Sequence, residues 1–325
     1  MGTDDLRGVI LSLCTAAAWA VAPIAFAAAG RRIGAFRVNL LRIALATIAL
    51  TIILMLAGVL LPSPPVTPRT PQVLWLAISG ICGMAIGDAA YYASLVLLGP
   101  RRALQLLTLS PVGSALLAWA MLGETLRPTE LAGIGVVLTA IAYAIYVERA
   151  AEGDLKREPG HVSPRGVVCG VLAALFGGAG AVLARQAFTT QPDLNPLAAT
   201  TVRVGSAAIA LWLVPLFVGG ALGVVRTLKD THIRSRILIG TLAGPITGML
   251  CYVAALKYAK AGTVSTLSSM SPIMVIPLVA WRYKTRVRKR VILAAVVAVA
   301  GVALISWKPA AKVPVGISAT SEVRR

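Results

Sequence analysis

The side chain with the clearest chemical potential is Asp88, which lies within an apolar segment, in the sequence GMAIGDAAYY. A carboxylate at membrane depth is costly unless it is paired or hydrated, so it usually faces a partner or a cavity. Asp88 could therefore bind and release a proton or hold the amine of a solute. It could equally be a structural hydrogen-bond acceptor near a helix end, and the sequence leaves both interpretations open.

Two arginines, Arg42 and Arg203, also lie within apolar segments. A guanidinium at depth requires a carboxylate, carbonyl oxygens or an anionic solute. Both residues lie close to the start of their segments, so their long side chains could instead reach the membrane interface. A third possibility is an ion pair between Arg42 and Asp88, which would neutralise both residues and lower their value for transport.

Other candidates for a polar cavity are Tyr91, Tyr252, Gln105 and Ser268. A tyrosine combines an aromatic ring with a hydroxyl, so it can stack on a planar solute and orient it. Packing between helices or at the interface is the alternative for both tyrosines. Gln105 and Ser268 belong to clusters of polar residues that could form part of the cavity wall.

Two prolines, Pro111 and Pro272, follow these polar clusters. Proline within a helix removes a backbone hydrogen bond and predicts a kink. Nearby hydroxyl groups could satisfy the carbonyl groups that the prolines free, which is an alternative role for the polar clusters. Paired kinks could also act as rocking points.

The chain contains an internal repeat with a constant shift of 161 residues, the difference between positions 111 and 272. The stretch 87–126 returns as 248–287. The same shift carries Arg42 onto Arg203, Gly83 onto Gly244, Tyr91 onto Tyr252 and Pro111 onto Pro272. One register that relates all of these pairs without a gap predicts one unit written twice.

The composition indicates a membrane protein. Hydrophobic residues make up 58% of the chain and charged residues only 13%, about half the charged fraction of a soluble domain. The apolar runs are about 20 residues long, enough to cross a bilayer as helices. They do not alternate as the strands of a barrel would. We therefore expect an all-α polytopic membrane protein in the plasma or inner membrane.

Ten membrane helices are predicted, five in each unit. Their approximate limits are 8–29, 36–61, 72–98, 103–122, 130–147, 166–188, 197–222, 236–259, 263–281 and 291–307. The corresponding domains are a first repeat at 1–147, a polar linker at 148–165, a second repeat at 166–308 and a polar tail at 309–325. Because five is odd, the second unit must enter the membrane from the opposite side. Such inverted repeats are typical of secondary transporters, whose substrate site lies between the halves.

The net charge of +19 would suggest nucleic acid in a soluble protein. Here the basic residues lie mostly between apolar runs, so we expect membrane lipids and no nucleic acid as partners. Connections after odd-numbered helices hold 19 Lys and Arg residues, whereas the other connections and the termini hold 8. The positive-inside rule then predicts that both termini lie outside the cell.

No metal or cofactor is expected. The four cysteines lie within apolar runs without CxxC spacing, and the two histidines fall in polar connections. These residues cannot assemble a typical metal site.

The order of the motifs resembles the EamA type of the drug/metabolite transporter superfamily. The first predicted helix carries Trp19 and Pro23, and the second carries Arg42 near its start. The third and fourth contain GDAAYYASL and LSPVGSALLAWAMLGE, and the latter ends in Gly123 and Glu124. The resemblance implies a ten-helix carrier of small metabolites or drugs, often an exporter and often driven by a proton or solute gradient.

The second unit departs from the family pattern where the first ends in Gly123 and Glu124. The repeat shift carries these two residues onto Lys284 and Thr285. If this glutamate has a role in the family, only the first unit of this chain can perform it. The favoured interpretation of Glu124 is an interaction with the neighbouring connection at the helix end.

Two functions from different classes remain open. The first is a secondary transporter that moves a small organic solute by alternating access. We expect an exporter, and the sequence leaves proton coupling and a homodimer open. The second is a membrane-embedded enzyme acting on a lipid or isoprenoid. An enzyme would need an acid/base pair, a nucleophile or metal ligands near one face, and the sequence contains no such cluster.

Overall fold

The computed structural model describes residues 3–61, 65–122, 128–149, 163–258, 267–284 and 289–306. These residues are predominantly helical and contain no strand. The first unit contains α1 (Thr3–Ile33), α2 (Ala35–Leu60), α3 (Thr70–Gly80), α4 (Asp88–Leu98), α5 (Pro100–Leu107), α6 (Ser110–Leu122) and α7 (Pro128–Arg149). The second contains α8 (Pro164–Thr190), α9 (Pro196–Phe217), α10 (Ala221–Arg226), α11 (Thr231–Thr241), α12 (Met249–Tyr258), α13 (Ser271–Tyr283) and α14 (Lys289–Ser306).

The all-α membrane fold predicted from composition is confirmed. Among the described residues, five helical stretches are long and apolar enough to cross a membrane: Leu6–Ile33, Ala35–Leu60, Thr70–Leu98, Pro164–Thr190 and Pro196–Phe217. Large apolar side chains cover the outside of the molecule, as a lipid-facing surface requires. The count of ten membrane helices stays a prediction.

A rare helical feature occurs at the same place in both units. The segments Ile81–Gly87 and Leu242–Gly248 are π-helical, and the 161-residue shift carries one onto the other. Each connects two α-helices into one longer rod, α3 to α4 and α11 to α12. π-Helical turns are uncommon and are frequent at functional sites. Their repetition in register supports the duplication independently of sequence identity.

The start of the second helix of each unit shows how different residues achieve the same boundary. Gly34 separates α1 from α2 and has a φ of 87°, which glycine adopts readily. Its counterpart is Asn195, whose side-chain oxygen accepts hydrogen bonds from the backbone N–H groups of Leu197 and Ala198 at 2.9 and 3.3 Å. Pro196 then occupies the first turn of α9. One unit uses backbone freedom and the other uses an N-cap followed by proline.

Contacts near Gly34 define one end of the molecule, which we call the α1–α2 end. Arg31 donates a hydrogen bond of 3.1 Å to the Tyr283 hydroxyl at the end of α13. Arg32 forms a salt bridge of 3.7 Å with Asp230 at the start of α11. The termini of α1, α11 and α13 therefore lie together.

A second set of contacts defines the opposite end, the α2–α3 end. Gln191 accepts a hydrogen bond from the backbone N–H of Arg69 and donates one to the carbonyl of Thr67, at 3.1 and 3.0 Å. The N–H of Asn195 donates to the carbonyl of Val66 at 3.0 Å. Gly34 precedes the start of α2, whereas its repeat mate Asn195 lies near the residues that follow the end of α2. The two repeat mates therefore lie at opposite ends of the molecule. The two units are inverted, as the odd helix number predicts.

The first helix of each unit packs against the other unit. α8 packs on α3, α4 and α6. The first bundle is defined as these four helices together with α5 and the first π segment. α1 packs on α11, α12 and α13, which together with the second π segment form the second bundle. α2 and α9 pack on each other, and α7 packs on α14. Each bundle therefore contains helices from both units.

Glycine allows the closest helix approach in the first bundle. A Cβ atom placed on Gly180 of α8 would lie 2.9 Å from the Cα atom of Gly83 in the first π segment. Real Cβ atoms do not come this close, so position 180 needs glycine. The glycine at position 180 therefore serves close packing between helices within the fold.

Candidate functional site

The predicted ion pair between Arg42 and Asp88 is present. Arg42 of α2 is only 7% exposed, and its Nη2 bonds the Oδ2 of Asp88 on α4. Nε and Nη2 also donate to the Oδ1 of Asn39, one turn earlier on α2, at 3.2 and 3.0 Å. The guanidinium lies 5.1 Å from the ring centroid of Tyr92. Arg42 is therefore held in the protein interior and does not extend to the membrane interface.

Asp88 lies between the two units. It is the first residue after the π segment, and its side chain bonds α2 while it interacts electrostatically with Arg203 on α9. The Asp88 side chain remains 30% exposed, compared with 9% for Arg42. Its partners lie on both sides of the interface between the units, and they do not enclose the Asp88 side chain completely.

Arg203 has a different set of partners from its repeat mate. Its Nε donates to the hydroxyl of Ser79 on α3 at 2.9 Å, and Ser79 donates to the carbonyl of Gly180 on α8 at 2.6 Å. The repeat shift carries Asp88 onto Met249, so the second unit has no equivalent carboxylate. The two arginines share one acidic residue.

Tyr91 and Tyr92 are buried beside this pair. Their ring centroids lie 5.3 Å apart, and the ring of Tyr92 meets that of Phe26 edge to face at 5.4 Å. Tyr92, the sequence neighbour of the predicted cavity residue Tyr91, is the ring that contacts Arg42. Tyr91 belongs to the same group through its ring contact with Tyr92.

Tyr252 belongs to a different contact group. Its ring stacks on that of Trp19 in α1, with centroids 5.6 Å apart and planes 27° from parallel. Trp19 in turn lies against Gly248 at the end of the second π segment. This stacking supports the packing interpretation of Tyr252, and its role in a substrate cavity stays a prediction.

Gln105 and Ser268 are both buried, at 7% and 3% exposure. Among the described residues, neither Gln105 Nε2 nor Ser268 Oγ has a hydrogen-bond partner. Buried polar atoms are normally satisfied, so these two are available to a water or a solute. Their backbone carbonyls accept hydrogen bonds from the hydroxyls of Thr108 and Ser271, at 2.6 and 2.9 Å. Hydroxyl groups thus bond carbonyl groups ahead of both prolines, and of these two carbonyls only that of Ser268 lies four residues before its proline.

The fourth helix of each unit is interrupted. In the described residues, turns at Thr108–Leu109 and Ser269–Met270 directly precede α6 and α13, and the repeat shift relates the two turns. Pro111 and Pro272 follow in the first turn of the next helix, where a missing N–H is tolerated. The chain therefore breaks before each proline. The rocking role of these sites stays a prediction, and Gly123 and Glu124 lie outside the described residues.

Residues missed in the sequence are Asn39 and Ser79. Each is a small polar residue within an apolar helix, and this polarity is the sequence feature that could have identified them as site residues. Among the described residues, no group of three or more His, Cys, Asp or Glu side chains could hold a metal ion. The arrangement places charged groups of both units together with a partly exposed carboxylate, which is chemistry suited to a charged or polar solute.

Fold and site together define a polytopic helical membrane protein made of two inverted repeats with ionised groups between them. The EamA-like transporter family matches residues 6–146 and 164–307, once in each unit. The chain therefore belongs to the EamA-like transporter family, within the drug/metabolite transporter superfamily.

A similar solved structure, titled "Crystal structure of protein", has a TM-score of 0.58 and 17% sequence identity to this chain. The match covers 91% of this chain and 94% of that chain. At this identity the likeness shows the fold alone. No curated protein matches the chain.

Proposed function

We propose that the protein is a secondary transporter that exports a small organic solute by alternating access. The observation that carries this proposal is the Arg42–Asp88 pair, with Arg203 beside it, at the interface of two inverted units. Ionised groups at membrane depth mark substrate or ion pathways. Family membership supports the transporter class.

The moving parts of the proposal are the two bundles. Inverted repeats can exchange conformations, so that a site between them opens first to one side and then to the other. α5 of the first bundle packs on α13 of the second, and both reach the α1–α2 end. Opening that end requires these two helices to separate. The charge bias predicts that this end is cytoplasmic.

Proton coupling is assigned to Asp88. While its carboxylate bonds Arg42 it remains ionised, so it can take up a proton only when the bundle movement separates the pair. The homodimer and the plasma or inner membrane location belong to the same proposal and are tested separately, by the mass of the purified protein and by fractionation.

The test is export. Wild type and Asp88→Asn are expressed at matched membrane levels in a host lacking related exporters, and the medium is profiled by mass spectrometry. Asp193→Asn is the control, because it removes a carboxylate from an exposed connection. We expect solutes enriched by wild type and the control but not by Asp88→Asn. Equal enrichment by Asp88→Asn would remove its coupling role, and no enrichment by wild type would contradict an exporter. A covalently altered product would favour the membrane enzyme.

A further inference from the structure

The charged groups between the units do not balance. Asp88 interacts with both Arg42 and Arg203, and the position equivalent to Asp88 in the second unit is Met249. The other acidic residues of the sequence fall in connections, in the tail or within a turn or so of a helix end. Two guanidinium groups and one carboxylate therefore leave one positive charge in this group.

The two arginines differ in how well they are satisfied. Arg42 has the carboxylate of Asp88, the amide oxygen of Asn39 and the face of Tyr92. Within the described residues, the hydrogen-bond acceptor for Arg203 is the neutral hydroxyl of Ser79. A guanidinium has five N–H donors. The excess charge is therefore assigned to Arg203.

Within the described residues, the hydrogen bond of the Arg203 guanidinium is made by its Nε atom. Ser79 occupies Nε at 2.9 Å, so the two terminal nitrogens remain for another acceptor. These nitrogens can donate two parallel hydrogen bonds to a planar carboxylate, which is the strongest pairing open to arginine. A cationic solute would instead raise the charge of a group that is already positive.

We propose that the transported solute is an organic anion with one net negative charge, whose carboxylate binds Arg203 while Asp88 stays paired with Arg42. This inference rests on the proposed transport function and names its substrate class. The solute supplies the missing negative charge, so the loaded site has no net charge while the Arg42–Asp88 pair is intact.

The first measurement uses the medium of cells that express the wild type, divided by ion exchange at pH 7 into anionic, neutral and cationic fractions. We expect the enriched solutes in the anionic fraction. Enrichment confined to the neutral or cationic fraction would overturn this inference and leave the transporter proposal intact. No enrichment in any fraction would contradict the proposed function, and this inference would fail with it.

The second measurement tests Arg203. Arg203→Gln should reduce export at least tenfold, whereas Arg203→Lys should retain part of it, because lysine keeps the charge but lacks the fork. Arg234→Gln is the control, since it removes an arginine from the exposed start of α11. Export by Arg203→Gln equal to that of wild type would overturn the assignment.

A third measurement needs no variant. Wild-type protein in proteoliposomes is assayed for flux of the exported anion in competition with the unlabelled anion or its carboxamide. The carboxamide has nearly the same shape but no charge, so we expect it to compete at least tenfold more weakly. Equal competition would show that the negative charge is not recognised.

Discussion

At the scale of single residues, Asn39 determines how Arg42 presents its charge. Its amide oxygen accepts from Nε and Nη2 of the guanidinium, and the same Nη2 also donates to Asp88. Asparagine is neutral, so it orients the arginine without competing for its charge. A second carboxylate at this position would pull Arg42 away from Asp88.

Replacing Asn39 by alanine should destabilise the protein. Hydrogen bonds to a charged group are worth about 1.5–3 kcal/mol, and Arg42 is buried, so we expect a loss in the lower part of that range. Thermal unfolding in detergent measures the change. Thr139→Ala is the control, because this exposed threonine bonds only the carbonyl of Gly135 within its own helix. Equal losses in both variants would contradict the role given to Asn39.

Arg42 and Asp88 should be energetically coupled. Asp88→Asn leaves a buried guanidinium without its carboxylate, and Arg42→Gln leaves the carboxylate without its guanidinium. The double variant removes both charges, so it should be more stable than the sum of the single losses predicts, with a coupling of about 1–3 kcal/mol. A double-mutant cycle of unfolding measures this coupling. Additive losses would mean that the contact contributes nothing to stability.

The sequence predicts part of this site and misses the rest for a physical reason. Asp88 and Arg42 stand out because charged residues are rare in apolar helices. The choice between Tyr91 and Tyr92 depends on the rotation of α4, and the π segment just before Asp88 changes that rotation. Helical periodicity alone therefore cannot decide which ring meets Arg42.

At the scale of elements, close packing of α8 on the first π segment depends on glycine. Gly180→Ala would place a methyl group 2.9 Å from the Cα atom of Gly83, which forces the helices apart. We expect a loss of about 1–3 kcal/mol in unfolding free energy. Gly135→Ala is the matched control, because a Cβ there meets nothing within 4 Å and alanine favours helix. A loss at position 135 as large as that at 180 would contradict the packing argument.

The start of α11 provides a pH-dependent element outside the membrane helices. Hydrogen bonds from the backbone N–H groups of His232 and Ile233, together with the charge of Arg32, lower the pKa of Asp230 below its ordinary value of 3.8. A lowered pKa means that the ionised group stabilises this helix start above the ordinary value. That contribution is lost as the pH falls through the lowered pKa.

Hydrogen exchange tests this element. In wild type, the amides of His232 and Ile233 should be protected at neutral pH and lose protection as the pH falls below about 4. Asp230→Asn retains the cap, because asparagine also caps helices well, but it cannot titrate. Its protection, corrected for the intrinsic exchange rate, should not change over the same range. A pH response that persists in the variant would assign it to another group.

The predicted spans at 103–122 and 263–281 show a limit of reading elements from sequence. Proline was expected to kink one continuous helix at each site. The structure instead ends one helix and begins another, because the residue before proline disfavours helical geometry and the hydroxyls of Thr108 and Ser271 satisfy carbonyls at the break. A hydropathy profile does not distinguish two helices separated by a turn from one continuous apolar helix.

At the scale of the molecule, inversion of the units was predictable but the exchange of first helices was not. An odd number of helices per unit determines how the second unit enters the membrane. Which helix packs on which depends on side-chain shape across the interface, and a repeat pattern contains no information about it. The exchange puts α1 and α8 into bundles formed mainly by the other unit.

This exchange leads to a prediction about which cross-links stop transport. In a variant without the four native cysteines, a reducible cross-link between Leu104→Cys on α5 and Val279→Cys on α13 would join the two bundles. Both residues belong to one buried apolar cluster near the α1–α2 end. Because the proposed transport cycle opens that end, we expect at least a tenfold loss of flux, restored by reduction.

The matched control joins helices within one bundle. Arg32→Cys with Asp230→Cys connects α1 to α11 at the same end, where the native side chains form a salt bridge of 3.7 Å. If the bundles move as units, this cross-link should leave most of the flux intact. Inhibition by both cross-links would mean that α1 moves relative to α11, so the first helices would move separately from the bundles. Inhibition by neither would show that the α5–α13 contact does not have to open.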